Sequence, residues 1–355
     1  MWRYFIIFAK HFKKTDMNKK YIYLSLVLTC VIVIIGIAYY YVFSSFSTQS
    51  ETAYIYIDDD DNVDSVYTKL TPIGCKRTIA SFTTMVQHTS YAENIHTGRY
   101  AVEPGQSTYS VFKTLKNGLQ SPVKVTIPSV RTMDKLAATV SKKLYLDSLS
   151  LIQALTDNAT CQQYGYDTAT IYCLFIPNTY EIYWDTTVEK FLKRMKKEHD
   201  RFWNDNRKAQ AKNIGLTIPE VVTIASIVAE ETNNTEEKPT IAGVYINRIK
   251  IDMPLQSCPT VKFAMKRFDL RRIYNSMLNY DSPYNTYRYG GLPPGPIRIP
   301  QIEDIEAVLN YVHHDYLYMC AKEDFSGTHN FAATFAEHKA NSVRYDKALN
   351  ERGIK

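Results

Sequence analysis

The residues best placed to do chemistry are two adjacent carboxylates, Glu230 and Glu231. They close the run Thr217-Ile218-Pro219-Glu220-Val221-Val222-Thr223-Ile224-Ala225-Ser226-Ile227-Val228-Ala229-Glu230-Glu231-Thr232. Thr217 followed three residues later by Glu220 is a capping box, and Pro219 sits in a first turn whose N–H groups lack helical partners. The run therefore reads as a helix. At about 100° per residue, Thr223, Ser226 and Glu230 share a polar face, while Val221, Ile224, Ala225 and Val228 point the other way. Glu231 falls on the flank of that apolar face. Glu230 is thus expected in water, and Glu231 at a helix end against the core. A partly desolvated carboxyl resists ionising and can act as a general acid near neutral pH. Cleaving a glycosidic bond needs such an acid to protonate the leaving oxygen. The same pattern also describes an ordinary helix-end glutamate bonded to nearby backbone.

The elements that must hold this helix fall into an α+β pattern. Tyr54-Ile55-Tyr56-Ile57 reads as a strand, followed by an acidic run, Asp58 to Asp61, that lacks the glycine and glutamate of a calcium loop and reads as a solvated turn. Val63, Val66 and Leu70 recur at helical spacing. Tyr100-Ala101-Val102 is a second strand, Tyr109 to Leu115 a helix closed by Gly118, and Val123 to Ile127 a third strand ended by Pro128. Thr132 caps a helix through Leu136 and Val140, and from there the chain reads mainly as helices with long loops. Lys190 to Lys212 reads as one charged, amphipathic surface helix. The 28 tyrosines offer faces for sugar stacking but are spread through the chain.

The first fifty residues set the compartment. Residues 1–20 carry six of the 42 Lys/Arg and one of the 36 Asp/Glu. The net charge of +6 is concentrated there, the remainder is close to neutral, and nucleic acid is a poor partner. Tyr21 to Phe43 is uncharged and long enough to span a bilayer. Basic residues before it keep the tail cytoplasmic and put the chain from about 44 outside, as a single-pass protein of the cytoplasmic (inner) membrane facing the periplasm. The run ends in Tyr39-Tyr40-Tyr41-Val42-Phe43 rather than in small residues, which favours an uncleaved anchor over a signal peptide. Residues 44–52 read as a short polar tether. Five cysteines lie beyond the span, without metal-type spacing; Cys161 and Cys173 are read either as a disulfide or as free buried thiols.

Ile224-Ala225-Ser226-Ile227-Val228-Ala229-Glu230-Glu231-Thr232 resembles the ASIVxxET signature of the YceG-like (MltG) family, the endolytic murein transglycosylases. The resemblance runs on in order through Val244-Tyr245-Ile246-Asn247-Arg248, Met253-Pro254-Leu255-Gln256-Ser257-Cys258-Pro259-Thr260-Val261 and Tyr284-Asn285-Thr286-Tyr287. It continues through Gly291-Leu292-Pro293-Pro294-Gly295-Pro296-Ile297 and Gly327-Thr328-His329-Asn330-Phe331. Upstream, Phe175-Ile176-Pro177-Asn178-Thr179-Tyr180, Gly98-Arg99-Tyr100 and Val125-Thr126-Ile127-Pro128 resemble further family markers. Two positions depart from the pattern: Ala229 stands where members often carry Glu, and Cys258 where Asp is common.

The resemblance implies that Glu231 is the catalytic acid of a lytic transglycosylase, a lyase on peptidoglycan, working without cofactor or metal. It implies substrate contacts from Gln256, Ser257, Tyr284, Asn285, Thr286, Tyr287 and His329, and leaves Glu181 as a structural carboxylate. The domain plan it implies is a cytoplasmic tail (1–20), a transmembrane helix (21–43), a LysM-like module (44–120) and a mainly helical, lysozyme-like catalytic domain (121–355). Glycan strands are the expected substrate, cut to 1,6-anhydro ends so that strand length is limited, with glycan polymerases and transpeptidases as partners. Three alternatives stay open: a noncatalytic peptidoglycan-binding scaffold, a muramidase leaving reducing ends, and a lyase using pyridoxal phosphate, for which no phosphate cradle is evident.

Overall fold

The computed structural model describes residues 19–270 and 273–353. The basic tail expected over residues 1–20 lies, apart from its last two residues, outside the described residues. Contacts divide the chain into two units at Ser121/Pro122.

The first unit begins with α1, Lys19–Phe43, which contains the apolar stretch Tyr21–Phe43, long enough to cross a membrane. Its large aliphatic side chains from Leu24 to Ile37 are exposed. Residues 44–48 are not the expected tether. Ser81 Oγ donates to the Tyr41 carbonyl at 3.0 Å, Thr108 N to Ser44 O at 3.1 Å and Phe46 N to Gln106 O at 2.8 Å. Phe46 is fully buried, its ring against Phe82. Burying that phenylalanine forces the adjacent backbone to find protein partners in place of water.

The rest of the unit is β1 (Ala53–Ile57), α2 (Val63–Leu70), α3 (Lys76–Gln87), β2 (Gly98–Val102) and α4 (Thr108–Lys116). Strands β1 and β2 pair antiparallel, Ala53 opposite Val102 and Ile57 opposite Gly98. Asn62 caps α2 by accepting from Asp64 N and Ser65 N. The helices bury Val66, Leu70, Phe82 and Phe112 against Ile55, Ile57 and Tyr100 of the two strands.

The second unit runs β3 (Val123–Thr126), α5 (Met133–Ser141), α6 (Ser148–Thr156), α7 (Asn158–Gln163), β4 (Thr179–Ile182), α8 (Val188–Phe202), α9 (Asp205–Asn213) and α10 (Ile218–Glu231). It continues with α11 (Lys238–Lys250), α12 (Cys258–Ala264), α13 (Ile302–Leu309), β5 (Tyr318–Ala321), β6 (His329–Ala332) and α14 (Phe335–Glu351). Two small antiparallel ladders, β3–β4 and β5–β6, stand beside the helices. The single surface helix expected over Lys190 to Lys212 is two helices. Trp203 turns fully inward between them, and Asn204 starts α9 by accepting from Arg207 N. Cys161 and Cys173 are both buried and both free.

Helix α10 is the spine of this unit. The capping box forms, with Thr217 N donating to Glu220 Oε2 at 2.7 Å and Glu220 N to Thr217 Oγ1 at 3.4 Å. Every residue from Val221 to Val228 is buried, so the expected polar face is not open to water. Thr223 and Ser226 satisfy their hydroxyls on their own helix, donating to Pro219 O and Thr223 O at 2.7 Å each. Ser226 Oγ also accepts Ile297 N at 3.0 Å, which seats the proline-rich loop on the face predicted to be wet.

Candidate active site

The end of α10 opens into a cleft of about 430 Å³. Its walls are Glu231, then Val244, Tyr245 and Arg248 of α11, Leu255 to Cys258 in part, Tyr287, the strand β5, His329, and Phe335 and His338 of α14. Glu231 is half-buried there. Its Oε1 accepts two hydrogen bonds, from the Tyr245 hydroxyl at 2.6 Å and from Ser257 Oγ at 2.7 Å. No described residue bonds Oε2. Two donors on Oε1 leave Oε2 as the oxygen without a partner among the described residues.

Both donors are fixed in the interior. Tyr245 is 2% exposed; burial, and then the charge of Glu231, push its hydroxyl well above the ordinary tyrosine range, so it stays a donor. Ser257 is 1% exposed. Its backbone N donates to Thr286 Oγ1 at 3.0 Å, and Gln256 N to Thr286 O at 3.0 Å. Arg248 is buried among carbonyls, donating to Leu317 O at 2.6 Å, Leu255 O at 2.9 Å and Pro254 O at 3.2 Å. It bolts α11 to the 253–258 loop and to the approach of β5, fixing two walls of the cleft at one guanidinium.

The expected substrate contacts separate into two groups. Gln256, Tyr287 and His329 line the cleft with Glu231. Gln256 is exposed and has a left-handed backbone, φ 47°, which is strained for a residue with a side chain. Tyr287 hydroxyl and Cys258 Sγ lie 3.1 Å apart, and His329 Nδ1 lies 3.1 Å from Glu237 Oε2. Ser257 reaches Glu231 rather than open space. Asn285 and Thr286 are both buried, and their side chains bond within the loops around them. Asn285 Nδ2 donates to Leu278 O and Tyr280 O at 2.8 Å each, and Thr286 supports Ser257. Tyr284 packs on Phe263, centroids 4.8 Å apart, and is not among the cleft-lining residues. Glu181 is an exposed residue of β4, paired in register with Lys124.

Glu230 is not the solvated carboxylate expected from the helical wheel. Arg131 takes both of its oxygens, Nε at 2.7 Å and Nη2 at 2.8 Å, and Arg298 Nη1 reaches Oε1 at 3.0 Å. Its side chain is 13% exposed. The wheel placed Glu230 away from the core but could not show that two arginines cover that side. Reading the sequence also missed Tyr245 and Arg248, although both stand in the Val244–Arg248 motif. Among the described residues, no group of three or more His, Cys, Asp or Glu could hold a metal ion.

A helix-end carboxyl is held by a tyrosine and a serine over an open cleft in a mainly helical α+β frame, and among the described residues it is the one carboxylate that lines that cleft. Residues 55–344 match the YceG-like family, and the chain belongs to it. It is similar to the endolytic murein transglycosylase of Streptococcus pneumoniae D39, 30% identical over 290 residues, covering 73% of this chain and 52% of that protein. The Bacillus subtilis protein of the same name is 28% identical over 277 residues, covering 74% of this chain and 76% of that one. The chain thus spans about half the length of the pneumococcal relative. A crystal structure of a YceG-like protein from Listeria monocytogenes has the same fold, with a TM-score of 0.53 at 24% identity, covering 82% of this chain and 99% of that one.

Proposed function

We propose that the chain is a membrane-anchored endolytic lytic transglycosylase that cuts the bond between N-acetylmuramic acid and N-acetylglucosamine in nascent peptidoglycan. The observation that carries this reading is the Glu231 carboxyl, with two donors on Oε1 and Oε2 without a partner among the described residues. The names of the relatives support the same substrate.

In the mechanism, Glu231 Oε2–H gives its proton to the glycosidic oxygen as the C1–O bond breaks. An oxocarbenium-like centre forms at the muramyl C1. The carboxylate left behind takes the proton of the same sugar's 6-hydroxyl, and O6 bonds to C1, giving a 1,6-anhydro end. No water is consumed, and the internal nucleophile removes the need for a second catalytic carboxylate. Tyr245 and Ser257 hold Oε1 throughout, so only Oε2 exchanges the proton. Gln256, Tyr287 and His329 serve as strand contacts in the cleft.

In the same reading, residues 21–43 are the anchor, 44–120 a LysM-like module and 121–355 a lysozyme-like catalytic domain facing the periplasm. The hydrogen bonds from the module to the Tyr41 and Ser44 carbonyls support an anchor that stays attached. The strand–helix–helix–strand order of β1 to β2 supports the LysM-like assignment.

The test uses detergent-solubilised full chain, wild type and Glu231→Gln, with uncrosslinked glycan strands read by mass spectrometry. Internal fragments with 1,6-anhydro ends from wild type alone are expected. Reducing ends would make the protein a hydrolase; binding without cutting by either form would make it a scaffold.

A further inference from the structure

A second, smaller cleft, about 50 Å³, is lined by Arg131, Glu230, Pro259, Lys262, Phe263 and Phe268. It shares a partition with the first. Glu230 and Pro259 line the small cleft, while their chain neighbours Glu231 and Cys258 line the large one. The last turn of α10 and the first turn of α12 therefore stand between the two.

The charges around the small cleft do not cancel. Glu230, the one acid lining it, is already matched by Arg131, and Arg298 pairs with it as well. Lys262 is half-buried and has neither an ion pair nor a hydrogen-bond partner among the described residues. It lies one helical turn beyond Cys258 in α12. Phe263 and Phe268 line it too, with the Arg131 guanidinium 5.4 Å from the centre of the Phe268 ring. An unmatched ammonium beside a guanidinium, partly shielded from water, favours an anion. The space equals that of roughly one or two waters, enough for a carboxylate and too small for a sugar ring.

We propose that this cleft is an anion subsite for a carboxylate of the peptide stem carried by the muramic acid bound at Glu231, with Lys262 setting the specificity. The proposal rests on the transglycosylase reading. Muramic acid is the sugar of the strand that bears a peptide, and that peptide ends in, and carries along its length, carboxylates. Adjacent residues of α10 and of α12 line the two clefts, so the small one neighbours the cleft that holds Glu231. Lys262 is a recognition group and takes no part in proton transfer.

The experiment compares uncrosslinked strands bearing native stems with the same strands after carbodiimide amidation of every stem carboxyl. Wild type is expected to prefer the native strands about tenfold in kcat/KM. Lys262→Gln should treat both strands alike and keep the wild-type kcat/KM on the amidated ones, while Lys262→Arg should retain the preference. Thermal unfolding confirms that both variants are folded. The affinity of the Glu231→Gln chain for the two strands should show the same ratio without any cleavage. A chain that binds with this preference but never cuts would sink the catalytic reading and leave the subsite standing. Equal use of both strands by wild type, or an undiminished preference in Lys262→Gln, would overturn the subsite.

Discussion

Tyr245 donates its hydroxyl hydrogen to Oε1 of Glu231 over 2.6 Å, from the middle of one helix to the last residue of another. The bond links α11 to α10 at the point where the chemistry is proposed. With Ser257 on the same oxygen, it leaves Oε2 without a partner among the described residues.

Tyr245→Phe removes that donor with almost no change in volume. A hydrogen bond to a charged acceptor contributes about 1.5–3 kcal/mol, so kcat should fall about ten- to a hundredfold. KM should hardly move, because the hydroxyl is engaged by Glu231 rather than by the strand. Steady-state kinetics separate the two parameters. A change in KM alone would make Tyr245 a binding residue and undo its role in holding Oε1.

Glu230 and Arg298 should be coupled in stability. Arg298 also donates to Ser129 Oγ at 2.8 Å, so it joins the start of the second unit to the end of α10. Arg298→Ala is expected to cost about 1–3 kcal/mol by leaving Glu230 with one partner. A double-mutant cycle with Glu230→Ala should return a coupling of at least ~0.5 kcal/mol by denaturant unfolding. Additive losses would mean that the pair is held apart in solution.

Gly295 is required by a close approach. A Cβ built there would come 2.2 Å from the Ala169 carbonyl oxygen and 2.7 Å from its carbon, both backbone atoms that cannot swing aside. Gly295→Ala should therefore cost about 1–3 kcal/mol. Because the same loop carries Ile297 onto Ser226 and Arg298 onto Glu230, activity should fall together with the melting temperature. An unchanged melting temperature would show that the loop can move at little cost.

Stability should fall in mild acid because of His199. Its ring lies between the Tyr166 hydroxyl at 2.6 Å and Asp200 at 2.9 Å, and burial lowers its pKa below the ordinary 6.5 even though Asp200 opposes the shift. The unfolded chain therefore takes up a proton below pH 6.5 that the folded chain refuses. This stabilisation is complete above 6.5 and is lost as the pH falls through the lowered folded-state value. Melting temperatures between pH 7.5 and 5 should drop in wild type and drop less in His199→Phe. Equal slopes would assign the acid sensitivity to other groups.

What the sequence by itself determined is local. The capping box at Thr217, the helix ending in Glu231, the strands around Ile55 and Tyr100, and the long apolar run are legible because caps and periodicity act within one or two turns of chain. The same reading failed wherever a remote partner decided the outcome. Trp203 splits the helix expected over Lys190 to Lys212 because it has a core to enter, and residues 44–48 are paired because Phe46 does. The β5–β6 hairpin is short and half-buried, with no clean alternation to betray it. Ser226 looks polar in sequence and behaves as core once its hydroxyl bonds to its own helix and to Ile297. Only the tertiary structure could bring Arg131 to Glu230 across 99 positions, or Ser257 to Glu231 across 26. A helical wheel gives the direction in which a side chain leaves its helix. What it meets there, and hence whether it is a solvated charge, an ion-pair anchor or an acid with one free oxygen, depends on chain folded back from elsewhere.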